Sequence, residues 1–421
     1  MEQGSLDTLE LEALGGKLMS RLDALGRITA EPSGLTRCFA TPEHRRAIEL
    51  ISGWMREAGM TTELDNAGTL VGRYPGADPA APSILLGSHQ DTVRNAGKYD
   101  GMLGIVVAIA CVQALYDAGR RLPTPIEVLA FGDEEGTRFG ASMFGSKAIA
   151  GCFQETDLDL TDSEGVTLAQ AMCAFGLDPC RIPSLARRPA SVKAFLEVHI
   201  EQGPVLEAEH IPVGLVDSFA GISRIAVMMR GEAGHAGTLP MDKRRDALAG
   251  AAAAVLAVEA MCCADPRLVG TVGTLTPSPG AINVVPDRTR FVVELRSAND
   301  VARREAVAAT QRLLQEISDT RGLAVTAEEI YELPAATCDP RLCDHLAHAI
   351  EAESLPVRRL YSGAGHDTMV MAPLAPSAML FLRCADGISH SPAETITGAD
   401  AALATRILLR TVDRVAMAVD I

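Results

Sequence analysis

The stretch IEVLAFGDEE, residues 126–135, decides the fold, because an almost wholly apolar run ends at an acidic pair. Six residues, Ile126 to Phe131, predict a buried strand bounded by a glycine turn. In open α/β sheets, ligands bind beyond the carboxyl ends of the strands. The pair Glu134 and Glu135 therefore predicts a functional cleft at this edge. The alternative is a solvated acidic turn.

Other polar residues follow predicted elements in the same way. Ser83 to Gly87 predicts a strand that leads into a loop with His89, and Phe195 to Ile200 predicts one that ends near His199. Gly101 to Ala118 predicts a helix directly after Asp100. Strands alternating with helices predict the α/β class, an open sheet covered by helices.

The middle of the chain has a different pattern. Its predicted order is β-α-β-β-α-β, which is typical of a ferredoxin-like domain. The strands are Ile222 to Met229, Leu268 to Leu275, Thr289 to Leu295 and Leu323 to Ile330, and the helices are Asp242 to Cys263 and Asp300 to Thr320. We expect a catalytic α/β domain, residues 1–215 and 332–421, with residues 216–331 inserted as a second domain.

Composition excludes several classes of protein. The 421 residues are 48% hydrophobic and 22% charged, with a net charge of −16 and no basic footprint for nucleic acid. The acidic N-terminus, with Glu2 and Asp7, argues against a secretory signal. The longest apolar stretch runs from about Met102 to Tyr116 and is expected to be too short to span a bilayer. Ten cysteines without a CxxC pair fit reduced thiols, so we expect a cytoplasmic protein without membrane contact.

The acidic and imidazole side chains predict metal chemistry. Asp91 follows His89 by two positions, placed to accept the imidazole's other N–H. Asp100 is either a helix N-cap or a carboxylate that bridges two ions. Of Glu134 and Glu135, one is expected to bind metal while the other acts as general base. The chain lacks HExxH, GxSxG and Walker motifs, which excludes the commonest zincin, α/β-hydrolase and P-loop enzymes. Four other histidines are predicted to be ordinary ones: His44, His210, His345 and His348.

Motifs in order along the chain resemble the peptidase M20 clan, in its hydantoinase/carbamoylase-type amidase branch. They are GSHQDTV from Gly87, EVHIEQGPVLE from Glu197, GHAGTLPM from Gly234 and GISHSPAE from Gly387. The resemblance implies two divalent metal ions, Mn²⁺ or Zn²⁺ with Co²⁺ and Ni²⁺ as alternatives, and Glu134 as general base. It implies the ligand sets His89, Asp100, His199 and Asp100, Glu135, His390.

The same resemblance implies roles for further residues. His235 would stabilise the oxyanion, and Gln202, Asn283 and Arg296 would contact the substrate. From the residues alone, the loop from Ser362 to Asp367, with Gly365 and His366, precedes a helix-like stretch and could offer backbone N–H groups to an anion. For Arg296 a surface ion pair and for the loop a plain glycine turn stay open. The inserted domain would be a lid and dimerisation domain of a homodimer.

The implied reaction is hydrolysis of a linear ureido C–N bond in a small carboxylate, which releases ammonia and CO₂. Gly234 before His235 resembles the allantoate amidohydrolases, so allantoate is the first expected substrate. N-carbamoyl-L-amino acid hydrolase or β-ureidopropionase activity is the alternative. An M20-type aminopeptidase or deacylase, and a metal-free binding protein, also stay open.

Overall fold

The computed structural model describes residues 8–418, and side chains from residue 10; Glu2 and Asp7 of the acidic N-terminus lie outside the described residues. Eleven α-helices lie in this part of the chain: α1 (Thr8–Gly26), α2 (Pro42–Glu57), α3 (Met102–Asp117), α4 (Phe144–Ala150), α5 (Leu168–Phe175), α6 (Val205–Ala208), α7 (Ala247–Ala264), α8 (Asp300–Arg321), α9 (Pro340–Glu351), α10 (Asp367–Met371) and α11 (Gly398–Met417).

Fifteen strands accompany them in the same described range. They are β1 (Thr61–Leu64), β2 (Leu70–Tyr74), β3 (Ser83–His89), β4 (Ile126–Phe131), β5 (Val192–Ile200), β6 (Val213–Phe219), β7 (Gly221–Arg230), β8 (Gly234–His235), β9 (Val269–Ser278), β10 (Val284–Val285), β11 (Arg288–Ser297), β12 (Ala324–Leu333), β13 (Ala336–Thr337), β14 (Arg359–Ser362) and β15 (Ser377–Leu382). The mixed α/β class is confirmed.

The chain divides into two units. The first unit runs to Asp217 and resumes with Thr337–Leu360 and with the chain from His366 onward. The second unit contains Ser218–Ala336 and the short segment Tyr361–Gly365.

The large sheet of the first unit is parallel at its centre. Its order includes β2-β4-β3-β5-β15, in which β3 runs parallel to β4 and β5, and β5 parallel to β15. All residues of β3, β4 and β15 are buried, as expected of strands covered on both faces. Because β3, β4 and β5 point the same way, their carboxyl ends meet at one edge.

The second unit is a four-stranded antiparallel sheet of order β12-β7-β11-β9 with α7 and α8 on one face. The strands of this sheet and the two helices follow one another as β7-α7-β9-β11-α8-β12, the predicted ferredoxin-like order, and β8 and β10 form a separate two-stranded sheet. Ile225, Val293 and Leu295 are fully buried in the core between sheet and helices. Alternate residues of β11 are buried, which is the period of a sheet with one covered face.

Helix α7 differs from its prediction in two ways. It begins at Ala247 instead of Asp242, because the Asp246 carboxylate caps it by accepting the N–H groups of Leu248 and Ala249 at 2.9 and 3.0 Å. Across the described residues, α7 is also long and apolar enough to cross a membrane by length and composition, with 33% of it buried. The expectation that no apolar stretch exceeds Met102 to Tyr116 is therefore wrong. Apart from the exposed Glu259, all residues of α7 are glycine or apolar.

Candidate metal centre

Two parallel strands and a glycine turn position the core of the site. His89 is the last residue of β3 and pairs in register with Phe131, so it lies beside the chain that leads to the acidic pair. His199 lies near the end of β5. Asp100 precedes α3, but the N-cap of that helix is Gly101, with φ +73° and no side-chain cap. A Cβ at Gly101 would lie 2.5 Å from the His89 ring, so only glycine allows this close approach. The N-cap alternative for Asp100 is therefore wrong.

Three imidazoles converge on the buried carboxylate of Asp100. Its Oδ1 lies 3.0 Å from His199 Nε2 and 3.5 Å from His89 Nε2. Its Oδ2 lies 3.2 Å from His390 Nε2, which is also 3.5 Å from Glu135 Oε1. Oδ1 of Asp100 thus faces His89 and His199, whereas Oδ2 faces His390.

The backbone fixes which imidazole nitrogen is available. Nδ1 of His89 lies 3.0 Å from the carbonyl oxygen of Asp91, and Nδ1 of His199 lies 2.9 Å from that of Ile200. A carbonyl can only accept, so each Nδ1 donates its hydrogen to the backbone and each Nε2 is the ring nitrogen that faces Asp100. Metal-binding histidines are held in this way in proteins.

Asp91 has a different contact from the predicted one. Its carboxylate lies 3.8 Å from His89 Nδ1, which instead contacts the Asp91 carbonyl. Both carboxylate oxygens accept backbone N–H groups, from Glu134 at 3.0 Å and from Glu135 at 3.1 Å. Asp91 therefore joins the end of β3 to the acidic pair, and it orients the backbone of both glutamates.

The acidic pair is buried and not a solvated turn. Side-chain exposure is 12% for Glu135, and Glu134 is 7% exposed as a residue. Burial raises the pKa of Glu134 well above its ordinary value. Burial and the neighbouring Asp100 carboxylate raise the pKa of Glu135 to about 7. Burial also opposes ionisation of Asp100, but hydrogen bonds from the three histidines hold its pKa well below the usual carboxyl range. Several carboxylates buried this close together repel one another when ionised, and bound cations would stabilise their charged forms.

The residues fit a site for two cations. Among the described residues, three groups could hold a metal ion: His89, Asp100, His199; His89, Glu134, Glu135; and Asp100, Glu135, His390. The first and third share Asp100, as a bridging ligand would. Mixed imidazole and carboxylate donors suit divalent transition metals.

Gln202 and His366 also lie in the first unit at this site. Gln202, at φ +56°, places its amide nitrogen 3.0 Å from Asp100 Oδ2 and 3.0 Å from Ser389 Oγ. The buried His366 ring packs edge-on against His199, with ring centroids 4.5 Å apart. Burial lowers the pKa of His366 well below its ordinary value, so its ring is neutral. Gly365 belongs to the second unit, and α10 after it has only five residues.

The remaining predicted residues lie in the second unit. His235 and Asn283 are neighbours there, because β8 pairs with β10 and the Ala236 N–H donates to the Asn283 carbonyl at 3.0 Å. Arg296 lies on β11, where its Nη2 is 2.7 Å from Glu294 Oε1 and its Nη1 donates to the Gly363 carbonyl at 2.7 Å. The ion pair that was the open alternative for Arg296 is thus present within this unit.

One buried carboxylate beside the site had no predicted role. Glu394 is 2% exposed and accepts the backbone N–H groups of Tyr99 and Asp100. It lies four positions after His390 within the motif GISHSPAE, so a signal in the sequence was available. The sequence alone does not distinguish a structural glutamate from a metal ligand at this position. The contacts that show the structural role are with Tyr99 and Asp100, almost 300 residues earlier in the chain.

Residues 85–414 match the model of Peptidase family M20/M25/M40, and the chain belongs to that family of hydrolases. It is 42% identical over 399 residues to an N-carbamoyl-L-amino acid amidohydrolase of Geobacillus stearothermophilus, covering 94% of this chain and 98% of the relative. It is 38% identical over 440 residues to an allantoate deiminase of Arabidopsis thaliana, covering 97% and 83%. A crystal structure of a hydantoinase/carbamoylase family amidase from Burkholderia multivorans is similar with a TM-score of 0.89 at 33% identity, covering 96% of this chain and 98% of that one.

Proposed function

We propose that this protein is a binuclear metal-dependent amidohydrolase that cleaves a linear ureido C–N bond of a small carboxylate. The observation that carries the proposal is the convergence of three imidazole Nε2 atoms on Asp100, beside a buried pair of glutamates. Relatives at 42% and 38% identity are named for ureido substrates, which supports this substrate class.

We assign one ion to His89, Asp100 and His199, and the other to Asp100, Glu135 and His390. Asp100 suits a bridging role because its two oxygens face different donors. Divalent ions in such a site polarise a carbonyl oxygen and lower the pKa of a water molecule. Manganese and zinc are the first choices for the metal, with cobalt and nickel as alternatives.

Glu134 is the proposed general base, in the ionised form that neighbouring divalent cations would favour against the effect of burial. Asp91 fixes its backbone through the 3.0 Å hydrogen bond, and the residue is only 7% exposed, so the carboxyl group lies within the site. Glu134 takes a proton from the attacking water as oxygen adds to the carbamoyl carbon. It then returns that proton to the nitrogen that leaves.

His235 is proposed to stabilise the oxyanion of the tetrahedral intermediate. Its Nδ1 accepts the N–H of Gly237 at 3.1 Å, so in the neutral ring the hydrogen is on Nε2. The exposed Nε2–H is then a hydrogen-bond donor for a developing negative charge. The tautomer is the feature of His235 that supports this role.

Arg296 and Asn283 are proposed to hold the substrate carboxylate, with Gln202 and the backbone near Gly365 and His366 as further contacts. Arg296 uses Nε and Nη2 on Glu294, at 2.8 and 2.7 Å, and Nη1 on the Gly363 carbonyl at 2.7 Å, which leaves one N–H on each of Nη1 and Nη2. A planar guanidinium suits a carboxylate because it can donate two parallel hydrogen bonds.

A homodimer through the second unit is also proposed. Leu256 on the outer face of α7 is 64% exposed, and Val269 on β9 is 50% exposed. β9 is an edge strand of its sheet, so it has unpaired backbone groups that a second copy can use. An apolar helix face beside an open edge favours a twofold contact between identical units. Residues of the second unit would then act as lid residues across subunits.

Allantoate is our first choice of substrate, and an N-carbamoyl-L-amino acid is the second. Gly234 favours allantoate, while the relative at 42% identity is named for carbamoyl amino acids. All ten cysteines are free, which supports a reducing, cytoplasmic location.

The test is ammonia release by chelated protein after reconstitution with manganese or zinc. Allantoate is compared with several N-carbamoyl-L-amino acids, a dipeptide panel and N-acyl amino acids. Metal-dependent ammonia release from a ureido substrate is the expected result. Cleavage of only dipeptides or acyl amides would replace the proposal with a peptidase or deacylase, and a protein that binds no ion would indicate a binding function.

A further inference from the structure

The buried Glu394 connects two segments that carry candidate ligands. Its Oε1 accepts the N–H of Tyr99 at 2.8 Å and that of Asp100 at 3.1 Å. Its Oε2 accepts the hydroxyl of Ser389 at 3.0 Å, the residue directly before His390. One carboxylate therefore fixes the backbone of Asp100 and the start of the loop that places His390.

The Glu394 side chain is packed directly against Gly97. A Cβ added to Gly97 would lie 2.4 Å from the Cβ, Cδ and Oε1 atoms of Glu394. Contacts this close do not occur between real atoms, so the absence of a side chain at Gly97 is what lets Glu394 reach the Asp100 backbone. Glycine here supplies space, in contrast to Gly101, where the positive φ also requires it.

The same type of contact occurs on the opposite side of the site. Asp91 accepts the consecutive N–H groups of Glu134 and Glu135, and Glu394 accepts those of Tyr99 and Asp100. Both carboxylates are buried. Each of the two segments that bring carboxylates to the centre is thus held by a separate buried acid, which itself faces the backbone.

Of the three histidines around Asp100, His390 depends most on loop contacts for its position. It adopts φ +54° and is 51% exposed, whereas His89 and His199 lie in strands and are almost fully buried. The sheet holds His89 and His199 in place whatever happens to the loops. The position of His390 relative to Asp100 depends on the connection through Ser389 and Glu394.

We propose that Glu394 is a positioning residue that sets the distance between Asp100 and His390 and thereby determines the affinity of the second ion. The inference rests on the two-ion function proposed above. Groups that orient metal ligands typically change metal affinity by about 10- to 100-fold when they are lost. We expect this loss at the site of Asp100, Glu135 and His390, with the His89 and His199 site changed by no more than a few-fold.

The experiment is calorimetric titration of the chelated full-length protein with Mn²⁺, and separately with Zn²⁺. Wild type is compared with Glu394→Ala and with Gly97→Ala, which displaces the carboxylate without removing it. The matched control is Glu127→Ala, which removes an equally buried acid that pairs with Arg187 at 2.7 Å at the other end of β4. Circular dichroism establishes that each variant is folded.

The expected result is two ions per chain in wild type and in Glu127→Ala, with the second ion weakened in Glu394→Ala and in Gly97→Ala. If folded Glu394→Ala or Gly97→Ala bound both ions with the affinities of wild type, the inference would be overturned. The same holds if Glu127→Ala weakened the second ion as much as Glu394→Ala does. If Glu394→Ala does not fold, Glu394→Gln replaces it, because glutamine keeps the size but cannot accept the Ser389 hydroxyl with its amide nitrogen. A wild-type protein that binds fewer than two ions would instead overturn the proposed binuclear function.

Discussion

The two units hold their functional candidates in different ways. In the first unit, His89, His199 and Asp100 are buried; each histidine ring is oriented by a hydrogen bond from Nδ1 to a backbone carbonyl, and the backbone of Asp100 is held by Glu394. In the second unit, His235 and Asn283 are exposed, and Arg296 is 29% exposed in its side chain. This difference fits the proposed function, in which the groups that would hold cations are fixed before the substrate arrives and the groups that would meet a substrate stay accessible to it. Mutations in the first unit should therefore change metal binding and chemistry, and mutations in the second should change the response to substrate.

The largest effect is expected for Glu134→Gln. The amide cannot take a proton from water, so kcat should fall by about 10²–10⁴-fold, the usual contribution of a general base. Ammonia release by the metal-loaded enzyme measures it. Glu127→Gln, at the start of the same strand, is the control and should leave kcat within a few-fold. A Glu134→Gln enzyme with normal turnover would show that another group takes the proton.

The next effect tests the oxyanion donor proposed for the second unit. His235→Ala should lower kcat by about 10²–10³-fold, because one preorganised donor to an oxyanion contributes about that much. KM should change far less, since the ground-state substrate does not carry that charge. His348→Ala, at an exposed histidine of the first unit, is the control. If His235→Ala raised KM and left kcat unchanged, His235 would be a binding residue.

Arg296→Met should produce the opposite pattern. Hydrogen bonds to charged groups contribute about 1.5–3 kcal/mol, so KM for the carboxylate substrate should rise by about 10- to 100-fold with little change in kcat. Arg224→Met is the matched control, because Arg224 contacts the same Glu294, with its Nε 2.7 Å from Oε2. Steady-state kinetics of both variants separate the roles. Equal KM increases would mean that the effect comes from Glu294 and its packing.

Much of the fold and of the candidate site could be predicted from the sequence, for different reasons in the two units. The strand from Ile126 to Phe131 and the parallel arrangement around it follow from apolar runs, and parallel strands bring their carboxyl ends to one edge whatever the loops do. The five candidate ligands could thus be proposed from their places after elements. The order of the second unit was also predictable, because its strands and helices are long and periodic.

Loop geometry could not be predicted. Gln202 and His390 adopt positive φ values of +56° and +54°, and no local pattern indicates that they meet at Asp100. The contact of Asp91 with the Glu134 and Glu135 backbone joins segments more than 40 residues apart, while the expected local contact with His89 was wrong. The predicted start of α7 was wrong for a different reason. Asp242 and Asp246 are equally good N-caps by residue type, and only Asp246 caps the helix.

The smallest effect concerns His44, a buried histidine of the first unit that is not a candidate ligand. Its Nδ1 accepts the Ala40 N–H at 3.1 Å, and burial lowers its pKa to about 3, with Arg37 and Arg45 adding to the shift. The unfolded chain binds a proton near pH 6.5 while the folded protein does not. The contribution is therefore fully present above pH 6.5 and is lost as the pH falls, by about 1.4 kcal/mol per pH unit at most. His44→Asn, which keeps an acceptor for Ala40, should remove about 1 kcal/mol of the stability difference between pH 6 and pH 5. Urea unfolding followed by the fluorescence of Trp54, the only tryptophan in the chain and on the same helix α2, measures it. An unchanged pH dependence in the variant would mean that the buried ring takes up its proton in the folded protein as readily as in the unfolded chain.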